Sequence, residues 1–95
     1  MPKFSVLLEG QNFPLVLDDE TKLYGFYVTR KVLANDQKEA ELAAVNSVKN
    51  DQKLLSTIDR EYDAEPRLFM ESIHKLHWWS RLNVTGYSFY PMDSE

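Results

Sequence analysis

Three side chains able to ligate a metal or move a proton stand close together in the segment RLFMESIHKLHWW: Glu71, His74 and His77. On a helix their spacing of i, i+3, i+6 sets all three in one stripe, as a metal site would need. On a strand, simple alternation sends His74 to one face and Glu71 and His77 to the other. Leu68, Met70, Leu76 and Trp78 share one parity while Phe69 and Ile73 share the other, so no helical face emerges. The segment reads as a strand over 67–77, buried on both sides, and its histidines as packing or surface residues. Even as a helix, a Glu-x-x-His pair of the di-iron kind needs ligands from three further helices. With no cysteine in the chain, disulfides, thiol chemistry and cysteine-based zinc sites are excluded. We expect no metal, no cofactor and no catalytic residue.

Two acidic stretches and one arginine complete the chemical inventory. Asp18-Asp19-Glu20 lacks the alternating oxygen ligands and central glycine of a calcium loop, and 18–22 reads as a solvated turn. Asp59, Glu61, Asp63 and Glu65 read as a solvated connector closed by Pro66. Arg30 is different, because it lies between Val28 and Val32 on the apolar parity of a strand. There it snorkels to a sheet edge, pairs with a carboxylate, or sits beyond a bulge that shifts parity. Its planar fork also suits recognition of an anion or a partner's carboxylate, which makes it a candidate binding residue.

The elements that position these groups follow from periodicity. Tyr24, Phe26, Val28, Val32 and Ala34 mark a long strand over 23–34. Its other face carries Tyr27 and Leu33, so one face is open to a helix and the other to a second chain. Asn35 or Asp36 caps a helix over 36–49, with Glu39 at the capping-box position and Asn50 as a left-handed stop. Ala40, Ala43, Ala44 and Val48 on one side let this helix approach a sheet closely. Residues 52–58 add one or two helical turns. Residues 3–9 alternate as a strand, Gly10-Gln11-Asn12 turns, and 13–17 forms a short edge strand or a bent continuation around Pro14. A final aromatic strand covers 85–90 and is expected to pair with its predecessor. The reading is one α+β domain over 1–95, an antiparallel-rich mixed sheet of four to five strands with one main helix packed on it.

A chain of 95 residues with 43% hydrophobic content forms a single small core. Its net charge of −4 argues against a phosphate-tracking surface, so nucleic acid is not an expected partner. The N-terminal residues are too short and too alternating for a signal peptide, and no apolar run spans a bilayer. A cytoplasmic protein without membrane contact is expected.

GFYVTR at 25–30, D-x-x-E-A at 36–40, PRLFMESI at 66–73 and GYSFYP at 86–91 together resemble a family of small uncharacterised bacterial proteins. The resemblance implies a compact α+β domain and supports a strand at 67–77. It carries over no activity and no site residue. The residues themselves point to a non-enzymatic protein-binding or regulatory module, a homodimer or a partner of another protein. Arg30, Trp78, Trp79 and Tyr87 are its expected binding residues. A dimeric α+β barrel-type enzyme or small-molecule binding protein is one alternative. A binder of single-stranded nucleic acid, stacking bases on sheet aromatics, is the other.

Overall fold

Asp18 and Asp19 take positive φ angles of 55° and 62°, the signature of the two-residue turn that joins twisted antiparallel strands. Aspartate tolerates this left-handed conformation better than most side chains. In the computed structural model, which describes residues 1–77 and 86–92, the turn links β1 (Lys3–Leu17) to β2 (Glu20–Leu33). Pairing runs from Lys3 opposite Leu33 to Leu17 opposite Glu20. Only Asp18 and Asp19 turn, therefore, and Glu20 to Lys22 already belong to β2.

Gly10-Gln11-Asn12 does not end a strand. The register shifts between Gly10 and Phe13, and Asn12 takes φ 61°. This is a bulge inside one long β1, and 13–17 is its bent continuation. Pro14 fits because β1 lacks a strand neighbour there on its β3 side. The Pro14 carbonyl instead accepts the Asp59 N–H at 2.8 Å.

The chain continues through α1 (Gln37–Lys49) and α2 (Gln52–Thr57) to β3 (Arg67–Leu76) and β4 (Ser88–Pro91). The sheet order is β3-β1-β2-β4. Every neighbouring pair is antiparallel, which corrects the expected mixed sheet. β2 and β3 do run in the same direction, but β1 lies between them. The last strand also departs from expectation by pairing with β2 rather than with β3. Its register sets Tyr90 opposite Gly25, where the missing side chain leaves room for the ring.

Both helices pack on one face of the sheet. Ala40, Ala44, Val48 and Leu54 close over Phe4, Val6, Leu8, Phe26 and Val28. Burying each of the larger side chains contributes about 1.5–3 kcal/mol. The other face has no helix on it among the described residues. No helix among them is long and apolar enough to cross a membrane.

Asp36 is the N-cap of α1, accepting the Glu39 N–H at 2.9 Å, while Glu39 Oε1 accepts the Asn35 N–H at 3.1 Å. Asp36→Ala should lower stability by about 0.5–2 kcal/mol and Asp36→Asn by less, since asparagine caps comparably. Urea unfolding that gave both variants the wild-type midpoint would contradict the cap. At the other end Asn50 has φ −102° and is no left-handed stop. The chain passes directly into α2, which Asp51 caps by accepting the Lys53 N–H at 3.0 Å.

Candidate binding site

Arg30 stands on the helix-covered face of β2 and is only 7% exposed. A guanidinium this deep must be paired, and three elements supply its partners. From α1, Ser47 donates its hydroxyl proton to the Ala44 carbonyl at 2.7 Å and accepts Arg30 Nε at 3.0 Å. From the α1–α2 junction, Asp51 Oδ2 accepts Arg30 Nη2 at 3.3 Å. From the approach to β4, the Tyr87 hydroxyl accepts Nη2 at 3.1 Å and donates to Asp51 Oδ2 at 2.7 Å. The guanidinium also lies 5.3 Å from the Tyr87 ring centroid, within cation–π range.

The electrostatics hold this triad in one protonation state. The Tyr87 hydroxyl holds the Asp51 carboxyl below its ordinary value, helped by the Lys53 and Leu54 N–H groups and by Arg30. Burial, followed by the bond to Asp51, pushes the Tyr87 phenol up. The result is an ion pair bridged by a phenol. Beside it opens a cavity of about 360 Å³, walled by Leu54, Phe89 and the triad, with Lys53 at its lining. Phe89 stacks on Tyr87 with centroids 5.6 Å apart and planes 14° apart.

A second polar group occupies the opposite, helix-free face. Glu9 is 6% exposed there although its cross-strand neighbours Tyr27 and Phe69 are exposed. It accepts the Tyr90 hydroxyl at 2.5 Å and Gln11 Nε2 at 3.2 Å. A register shift between Leu7 and Leu8 on the β3 side leaves Glu71 as an extra residue, and its carboxyl meets that of Glu9. The Tyr90 hydroxyl, then Glu71, lowers the Glu9 pKa, whereas Glu9 raises that of Glu71. The bond to Glu9 pushes the Tyr90 phenol up to about 12.

This bulge alters the reading of the Glu-His stripe. His74 pairs with Ser5 and so shares the helix-free face with Glu71, which simple alternation had placed opposite. Among the described residues no three His, Cys, Asp or Glu side chains gather as metal ligands.

Of the four residues expected to bind a partner, Arg30 and Tyr87 meet each other directly on the helix side. Trp78 and Trp79 lie outside the described residues. Of the three environments open to Arg30, the structure takes the carboxylate pair, and Asp51 is the acid. Asp51 went unnoticed, though its place just before a short apolar helical run is a capping signal. Glu9 gave no signal, because a strand acid on the polar parity normally faces water, and Glu71 stood out only through its spacing to the histidines. No family model, no curated protein and no solved structure matches the chain.

Proposed function

We propose that the chain is a non-enzymatic protein-binding module that works as a homodimer, joined through the helix-free face of its sheet. The observation that carries this reading is the one-sided placement of the helices. α1 and α2 both close on Phe4, Val6, Leu8 and Val28, which leaves the far side of three long strands uncovered by any helix among the described residues. That side presents Tyr27, Leu33 and Phe69 at 41%, 46% and 37% exposure, with Leu7 between them. At about 4.8 Å per strand and 3.4 Å per residue the face covers roughly 500 Å², the size of the larger functional patches on soluble proteins. The Glu9–Glu71 pair on it opposes a polyanion, so the face suits another protein better than nucleic acid.

Light scattering at tens of micromolar should report about twice the 11.1 kDa chain mass. A mass that stays at one chain over a wide concentration range would sink the homodimer. Small-molecule binding is the second reading, favoured by the cavity beside Arg30. Its volume of about 360 Å³ is at the lower end of ligand pockets, about 300–1,000 Å³. Occupancy of that cavity alone would leave the solution mass unchanged.

A further inference from the structure

The helix-free face is built in charged rows. Strand register aligns His74, Ser5 and Lys31 across β3, β1 and β2. Two residues further along stand Ser72, Leu7 and Thr29, and two beyond these Phe69, Glu9 and Tyr27, with Glu71 beside Glu9. Successive rows are about 6.8 Å apart, twice the rise per strand residue. Over these three rows the face runs from a basic row through a neutral one to an acidic one, with Lys3 beyond the first and Arg67, opposite Gln11, beyond the last.

We infer that two copies pack face to face about a two-fold axis lying across the strands, over the neutral Ser72–Leu7–Thr29 row. This rests on the homodimer reading above and specifies its geometry. A face-to-face pair related by a two-fold must have its axis in the plane between the sheets. In the aligned class of sheet packing the strand directions stay within about 30° of each other, which leaves two axes, along the strands or across them. An axis along the strands lays each row on its own copy, Lys31 and His74 on themselves and the Glu9–Glu71 pair on itself. Like charges then meet in the least solvated part of the interface, which disfavours that arrangement. An axis across the strands turns the face end for end and lays each basic row on the other copy's acidic row.

Named contacts follow from the second arrangement. His74 on β3 faces Glu71 of the second copy. Lys31 on β2 comes over the Tyr27 ring of the second copy and beside its Glu9, a cation over an aromatic face backed by an acid. Leu7 meets its own counterpart at the centre. Two faces of roughly 500 Å² bury about 1,000 Å² in total, the low end for a specific interface. The dimer is therefore weak, with a dissociation constant in the micromolar range, and it loosens as salt screens the charged rows.

Charge reversal tests the axis. His74 and Glu71 are exposed residues of an edge strand, so substitution there spares the core. Sedimentation of the full chain at low salt should show His74→Glu and Glu71→Lys each raising the dimer dissociation constant about tenfold, because symmetry doubles each altered contact. The double variant His74→Glu/Glu71→Lys should return to within about threefold of wild type. An equimolar mixture of the two single variants should form the heterodimer although neither pairs well alone. His74→Lys keeps the sign of the basic row and should tighten the dimer. A dimer indifferent to all three substitutions overturns the crosswise axis and leaves the homodimer standing. A wild-type chain that stays monomeric overturns the homodimer and the axis together.

Discussion

Replacing Gly10 with alanine is expected to cost about 3 kcal/mol, the upper end of what overpacking a core usually does. Gly10 lies on the helix-covered face of β1, opposite Phe26. An added methyl would collide with Phe26 at Cε2 and Cζ and come within 2.8 Å of Phe13 Cε1. Phe26 has nowhere to go. It is fully buried, 4.9 Å from the Phe13 ring centroid, and its remaining sides meet Tyr87 at 5.1 Å and Phe89 at 5.8 Å. Gly25→Ala is the control. Its methyl would strike the outer end of Tyr90, a side chain on a four-residue edge strand. That ring can swing aside for the loss of its bond to Glu9, so the cost is smaller. For a domain with roughly 5–15 kcal/mol of stability, the difference is readable as separate urea midpoints. Equal midpoints for the two variants would contradict the clamp around Phe26.

Asp51→Ala should cost about 2–3 kcal/mol, more than Arg30→Met. Removing one partner of a fully buried ion pair costs about 3–5 kcal/mol because a charge is left unpaired. Here the Asp51 side chain keeps 22% exposure, which lowers the figure. Asp51→Ala removes the carboxylate that faces the Arg30 guanidinium, takes the acceptor from the Tyr87 hydroxyl proton and uncaps α2 in a single step. Arg30→Met leaves an acid that still receives Tyr87 and the Lys53 N–H, in a slot methionine can fill. Asp51 has a depressed pKa in the folded chain, chiefly through the Tyr87 hydroxyl. Its contribution is therefore present in full above the ordinary aspartate value near 4 and is lost as pH falls through the lower folded one. Wild type and Asp51→Ala should consequently converge in stability in strong acid. A difference that held constant from neutrality to pH 2, or a larger loss for Arg30→Met, would contradict this account.

The parts of the fold legible in the sequence were those written in local periodicity. Alternation from Tyr24 to Ala34 marked β2 and its buried parity, and Asp36 with Glu39 marked the start of α1. What escaped were the places where one extra residue breaks the count. The bulge at Gly10–Phe13 looked like a turn because Gly-Gln-Asn is turn chemistry in either setting. The bulge at Glu71 moved that side chain to the face of His74, and alternation cannot announce its own interruption. The partner of β4 depended on the space above Gly25, a property of two strands distant in sequence. At the site, an arginine flanked by valines announced a need for an anion. Nothing local said that Asp51 would meet it, since that meeting depends on where α1 ends.

The same bulge has a consequence for the outer rim of the sheet. β3 is a terminal strand of ten residues, long enough to serve as a template on which another chain's strand could add, the step from which fibrils grow. A straight edge invites that growth. This one is broken in mid-course by the extra residue at Glu71, where a bulge tilts the ladder and raises the local twist. Arg67, Glu71, His74 and Lys75 are all exposed along it, and an incoming strand would have to desolvate their charges. A chain so guarded at its rim can end its sheet on a long strand and still stay clear of runaway stacking.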